Sequence, residues 1–224
     1  MLRKLYSGNI LSLRKSRLHD EKGNFVGINN IVLHAPLSIF SGIARLCGYR
    51  PILPWISYTS IGIFKNFLSK NSRVLEFGSG MSTIWYAKYA GYVCSVENNE
   101  IWYEKVKSII EKHNLNNIHY QYCNDEKDYY SFMSQDNIGF DLIIVDGSYR
   151  SKCMASAIKL LKPGGIVYLD NSDKDYISGG DMRLAEDILL DFAQEKHAQF
   201  KYFTDFAPAE FFVNQGLIVI CPHQ

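Results

Sequence analysis

The chain has no C-x-x-C pair, no internal repeat, no low-complexity tract and almost no net charge. Its five cysteines, Cys47, Cys94, Cys123, Cys153 and Cys221, are odd in number and widely spaced. That pattern excludes a disulfide framework and a C-x-x-C zinc site, and it leads us to expect a reducing, cytoplasmic location. The most apolar region, Ile31 to Phe64, is interrupted by Pro36, Arg45, Arg50, Pro51 and Pro54. It falls short of the ~20 uninterrupted residues that cross a bilayer, so no transmembrane segment is expected. A formal net charge of +1 gives little general attraction for a polyanion, and nucleic acid is not the expected partner. The opening stretch, MLRKLYSGNILSLRKSRLHD, scatters Arg3, Lys4, Arg14, Lys15 and Arg17 among apolar residues without the apolar core or cleavage site of a signal peptide. It reads as a solvated basic arm, with a basic helix touching a membrane or partner as the alternative.

What is present is a composition of 47% hydrophobic and 21% charged residues over 224 positions, enough for one well-buried domain. From Ser72 onward, short runs rich in Val, Ile and Tyr alternate with helical-period segments, the signature of repeated βα units and a parallel sheet. Strands are expected at 73–78, 92–97, 118–123, 140–146 and 165–170. Helices are expected at "STIWYAKYA", "EIWYEKVKSIIEKH", "EKDYYSFMS", "SKCMASAIKLL" and about 181–196. In the second helix Asn98 or Asn99 would cap the start, and Lys112 with His113 would complement the dipole at the end. The last two apolar runs, "QFKYFTDF" and "GLIVICP", are too close for a crossover helix and must pair antiparallel. Residues 1–54 lack this rhythm and read as an N-terminal extension or helical cap ahead of a domain spanning 55–224.

The first expected strand runs into "EFGSGMST". Gly78 and Gly80 permit a tight turn and close backbone approach to a ligand, while Ser82 and Thr83 carry hydroxyl donors. A dinucleotide fingerprint would have a third glycine where Thr83 stands. Glu76, two residues ahead of Gly78, would repel a pyrophosphate and welcome an ammonium group. Glu97 closes the second strand, where its carboxylate can accept both vicinal hydroxyls of a ribose. Asn124 and Asp125 follow the third strand and can meet an adenine amino group or, equally, cap a helix.

Glu76-x-Gly78-x-Gly80, the acidic end of the second strand, "VDG" after the fourth, "LKPGG" opening the fifth and a terminal hairpin occur in one order that resembles the class I S-adenosylmethionine-dependent methyltransferases, from about Trp55 to Cys221. The resemblance implies an α/β, Rossmann-like, doubly wound seven-stranded sheet of order 3-2-1-4-5-7-6 with strand seven antiparallel. It also implies a cofactor, S-adenosylmethionine, held by Gly78, Ser79 and Gly80 at its methionine end and by Glu97 at its ribose, with Asn98 and Asp146 beside it.

Asp146 ends the fourth strand, and Asp170 with Asn171 ends the fifth. In the implied order these strands are neighbours ~4.8 Å apart. Two carboxylates and an amide oxygen are hard donors suited to Mg²⁺, Mn²⁺ or Ca²⁺. The trio resembles the metal-dependent O-methyltransferase branch that includes catechol, caffeoyl-CoA and macrocin-type enzymes, in which a cation stabilises the attacking alkoxide. The sequence departs from the caffeoyl-CoA-type pattern after Asp146, where Gly147, Ser148, Tyr149 and Arg150 follow. The catalytic base is therefore unassigned, with Asp146, Asp173, Lys174 and His34 as the candidates. "VDGSYR" lacks the N-P-P-Y sequence of nucleic-acid amino-methyltransferases, which favours a small hydroxylated acceptor, a sugar or glycan by the macrocin-type resemblance. A metal-independent methyltransferase, a nicotinamide-dependent oxidoreductase and a non-enzymatic cofactor-binding module are the rival readings. Trp55 and Tyr58 read as a wall of the acceptor or cofactor site, or as core.

Overall fold

The computed structural model describes residues 12–223. Arg3 and Lys4 of the basic arm lie outside the described residues. The described part of the arm is not helical: it forms a turn closed by a bridge between His19 and Phe25. Buried Asp20 anchors that turn by accepting from Thr204 (2.6 Å) and Gln215 (3.1 Å).

Seven strands form one sheet: β1 (Arg73–Phe77), β2 (Tyr92–Glu97), β3 (Ile118–Tyr122), β4 (Phe140–Val145), β5 (Leu161–Leu169), β6 (Gln199–Phe206) and β7 (Val213–Ile220). Their order is β3-β2-β1-β4-β5-β7-β6. β1 to β5 pair in parallel, whereas β7 runs antiparallel to both β5 and β6. The sequence-based order and hairpin are therefore correct. One boundary differs: β5 begins at Leu161, directly after a helix, and crosses a register irregularity between Phe140 and Leu142. "KPGG" thus lies inside the strand rather than before it, because Leu161 pairs with Phe140 ahead of the irregularity.

Among the described residues seven helices flank the sheet: α1 (Ile28–Leu46), α2 (Tyr58–Phe67), α3 (Met81–Tyr89), α4 (Glu100–Lys112), α5 (Glu126–Tyr130), α6 (Arg150–Leu160) and α7 (Asp181–Glu195). Among these described elements, α2 and α3 bury Phe64, Trp85 and Tyr86 against one face of the sheet. On the other face, α5, α6 and α7 cover a core holding Tyr129, Met154 and Leu189. α4 closes on α3 through Val106, Met81 and Ile84, with Trp102, Ile109 and Ile110 at its edge. Asn99 is its N-cap, accepting from Trp102 N–H at 2.9 Å. α5 is shorter than its periodicity suggests, because Phe132 turns into the core and Met133 adopts φ 61°. α1 lies within residues 1–54, where an extension or cap is expected, and runs through Pro36. Val26, just ahead of α1, shares a cluster with Phe206 and Val213, which ties residues before 55 to the terminal hairpin.

Candidate active site

The parallel strands direct their carboxyl ends to one edge, and the order reverses around β1, so the ligand crevice of this sheet type lies there. The glycine turn after β1 forms its floor. Gly78 has φ 100°, and a Cβ on it would meet the backbone nitrogen and Cα of Gly147 at 2.6 Å. Its missing side chain therefore serves a contact between the turns after β1 and β4. Gly80 is extended, and a Cβ there would find nothing nearer than Ser82 Oγ at 3.4 Å. Neither packing nor backbone angle requires glycine at Gly80.

Glu76 and Thr83 work beneath this turn. The Thr83 hydroxyl accepts from Gly80 N–H (3.1 Å) and donates to Glu76 Oε2 (2.5 Å), and Ser95 donates to the same oxygen (2.6 Å). Glu76 is buried, and loss of solvation pushes its pKa up to about 7 against the pull of the Ser82, Ser95 and Thr83 hydroxyls. The side chains expected to face a ligand are engaged in fixing the turn itself.

Glu97 closes β2 with four donors on its carboxylate. Oε2 accepts from Ser79 N–H (3.2 Å) and the Ser79 hydroxyl (2.9 Å), while Oε1 accepts from Asn98 N–H (3.0 Å) and Asn99 N–H (2.9 Å). Ser79 Oγ also lies 2.7 Å from the Tyr120 hydroxyl. Asn98 bridges the crevice to Ser148 after β4 at 3.0 Å. Trp102 covers the turn, donating from Nε1 to Ser79 O at 2.8 Å, and Arg50 stacks between Trp102 and Trp55. The buried Tyr86 hydroxyl and Trp55 Nε1 have no hydrogen-bond partner among the described residues.

At the ends of β4 and β5, the pairing of Val145 with Leu169 sets Asp146 beside Asp170. Asp170 is buried, and its pKa is pushed up to about 8 by loss of solvation and then by the negative charge of Asp146. Asp146 is one-third exposed and is likewise raised by desolvation, with the Arg150 guanidinium opposing the rise. Arg150 straps the two strand ends together. Its guanidinium donates to Asp146 Oδ1 (2.9 Å), to Asp146 O (3.0 Å), to Gly147 O (3.0 Å) and to Asp170 O. Tyr168 donates to Asp170 Oδ1 (2.9 Å), and Lys174 donates to Asn171 Oδ1 (2.8 Å). Among the described residues, no three His, Cys, Asp or Glu side chains are grouped to hold a metal ion.

Other candidates are used structurally. Asp125 caps α5, accepting from Asp128 N–H, and Asn124 is exposed beside it. His34 pairs with Asp205 at 2.8 Å, and Asp173 accepts from Glu21 N–H and Gln215 N–H beneath the arm. Tyr58 packs against His34 and lies 3.3 Å from Ser41 Oγ, on the cap. Sequence reasoning missed Tyr120, Trp102, Arg50 and Arg150 as parts of the crevice. Only Arg150 carried a local signal, four residues after Asp146 at the start of a helix.

No family model matches the chain, and no curated protein does. Among solved structures, it is similar to an O-methyltransferase from Bacillus cereus in complex with SAH, at 19% identity and TM-score 0.61, over 84% of this chain and 90% of that one. It is also similar to the O-methyltransferase TomG from Streptomyces achromogenes, involved in tomaymycin synthesis and in complex with SAM, at 15% identity and TM-score 0.61, over 88% and 97%. An rRNA methylase from Streptococcus thermophilus aligns at 12% identity and TM-score 0.55, over 79% and 98%. The seven-stranded sheet and its reversed β7 are those of the class I methyltransferase fold.

Proposed function

We propose that the protein is an S-adenosylmethionine-dependent O-methyltransferase whose acceptor is a hydroxyl of a small molecule, of which a sugar or glycan is the preferred class. The observation that carries this reading is Glu97, a carboxylate at the β2 end facing a turn whose second glycine, Gly80, is left open by its own fold. The residues fit the cofactor. A ribose hydroxyl can replace the Ser79 hydroxyl on Glu97 Oε2, since Ser79 retains Tyr120 as a partner. The unpartnered Tyr86 hydroxyl offers a further polar contact near Glu76, Asp146 and Asp170.

When bound there, the cofactor would supply a methyl group on a cationic sulfur, with a neutral thioether as the leaving group, to an acceptor oxygen. Asp146 would accept the hydroxyl proton. It is the more exposed member of a carboxylate pair in which burial raises the proton affinity of both members. Arg150 holds the Asp146 carboxylate in place from the first turn of α6, and the remaining contribution of the chain is positioning.

A divalent ion is the second group implied by the sequence resemblance, and the residues as arranged do not fit one. Asp146 is held by the Arg150 guanidinium, Asn171 by the Lys174 ammonium and Asp170 by Tyr168. An ion at the trio would sit beside two positive groups already compensating these oxygens. The proposed reaction is therefore written without metal.

Calorimetry with S-adenosylhomocysteine should show one site per chain, and Glu97→Ala should weaken binding by about tenfold or more, the loss of charged hydrogen bonds to a ribose. Tight NADH binding with no response to S-adenosylhomocysteine would sink the assignment. Stoichiometric Mn²⁺ binding that is lost in Asp170→Asn would restore the metal to the mechanism.

A further inference from the structure

α1 is built the wrong way round for a surface helix. Apart from Ile31, which packs against Val26, Phe206 and Val213, its inward face is polar or small: Ser38 donates to Glu210 O, Ser41 accepts from Ala209 N–H at 2.9 Å, and Gly42 lies against the Phe211 ring. His34 and Arg45 on the same side pair with Asp205 and Glu210. The outward face carries Ile28, Val32, Leu33, Phe40, Ile43 and Leu46, exposed to between 53% and 77%. At 100° per residue these side chains span about 140° of the helix circumference, where a surface helix ordinarily places its charges. A continuous apolar face of this kind on a helix ~28 Å long marks an interaction surface.

Charge indicates what covers it. The first 75 residues hold eleven Lys and Arg against two acids, Asp20 and Glu21, so charge is segregated along the sequence; Arg14, Lys22, Arg45 and Arg73 are paired with acids, which leaves exposed Lys15 and Arg17 as the basic groups at the start of α1. From Lys22 to Leu75 there is no Asp or Glu at all. Exposed Lys15 and Arg17 precede Leu18, which packs, as Ile31 and Ala35 of α1 do, against the Val26, Phe206 and Val213 cluster. Tyr49 and Arg50 follow the other end. Two copies meeting through α1 would bring these like-charged surrounds together, whereas an anionic lipid surface complements both the apolar face and its basic flanks. No described helix is long and apolar enough to cross a membrane, so α1 would lie in the plane of the interface.

We infer that α1 is an interfacial docking helix that seats the protein on an anionic lipid bilayer. This inference goes beyond the proposed reaction and is independent of it. The opposite face of α1 holds the 207–212 loop, and the charges of Asp170 and Lys174 reach Glu210 in that loop, so docking would hold the crevice close to the lipid surface.

Vesicle flotation tests the inference, using phosphatidylcholine alone and phosphatidylcholine mixed with phosphatidylglycerol. The intact protein should float with the anionic vesicles, should be released by salt, and should stay behind with phosphatidylcholine alone. Phe40→Asp combined with Ile43→Asp should cut partitioning by about tenfold or more, while Ile101→Asp, at an equally exposed apolar position on α4, should leave it unchanged. Circular dichroism and S-adenosylhomocysteine binding on the same samples report the fold and the crevice separately. The inference is overturned if the wild type does not float with anionic vesicles, if the α1 double variant floats as well as the wild type, or if light scattering shows a dimer that the double variant converts to a monomer.

Discussion

α4 and α1 are both amphipathic, and they bury opposite faces. α4 presents Val106 to α3, leaves Glu104, Lys105 and Lys107 in solvent, and follows the ordinary rule for a helix covering a sheet. α1 sends serines, a histidine and an arginine inward because its neighbour is not an apolar sheet face. It is the end of the β6–β7 hairpin, which offers the Asp205 carboxylate, the Ala209 amide and carbonyl, and the Glu210 carbonyl. Buried polar groups must be paired, so the polar stripe turns to where partners are and the apolar stripe is left outside. Periodicity reports that a helix has two faces; the neighbour decides which one is buried.

The sharpest way to break this contrast is Val106→Asp. It puts an unpaired carboxylate into a fully buried apolar contact and should cost about 5 kcal/mol, read by urea denaturation. Next is Asp205→Ala, which strips the partner from His34 and from the amide and hydroxyl of Thr59, and should cost about 3 kcal/mol while loosening α1 and α2 together. A loss below ~1 kcal/mol would mean that the polar interior of the cap is not what holds α1.

The crevice supplies a third test through pH. Because the folded-state pKa of Glu76 is raised from 4.5 to about 7, its stabilising contribution is complete below about pH 4.5 and is lost as pH rises through about 7. Glu76→Gln should therefore flatten the fall in stability across that window by on the order of 3 kcal/mol, seen as melting curves that converge with the wild type at acid pH and diverge toward neutrality. Parallel curves would place the carboxyl in a more polar setting than its burial indicates. The smallest effect belongs to Val32→Asp on the outer face of α1, which should change stability by no more than about 0.5 kcal/mol despite replacing valine with a charge. A loss resembling that of Val106→Asp would show this face to be covered within the protein itself.

Most of the sheet was legible because parallel strands buried on both faces leave near-continuous apolar runs, and the short link before the last strand admits only a hairpin. The ends of β1, β2, β4 and β5 could be located for the same reason, and Glu76, Glu97, Asp146 and Asp170 were found there. Their partners were not legible. Gly78 looked like a ligand glycine, but its space is filled by Gly147, some seventy positions later in the chain. Thr83 looked like a ligand hydroxyl and instead joins Gly80 to Glu76. The trio of Asp146, Asp170 and Asn171 looked like an open metal site, yet Arg150 and Lys174 come from neighbouring turns to engage two of its members.

The sequence by itself determined the βα alternation, the strand order by resemblance and the positions of the acidic strand ends, because each follows from local pattern read along one chain. Only the tertiary structure decided which of those groups are free. Whether a carboxylate faces a ligand, a guanidinium or a hydroxyl depends on side chains brought beside it from other strand ends, and the same holds for which side of α1 is left to the surroundings. Burial and hydrogen-bond satisfaction are properties of those meetings, not of the residue alone.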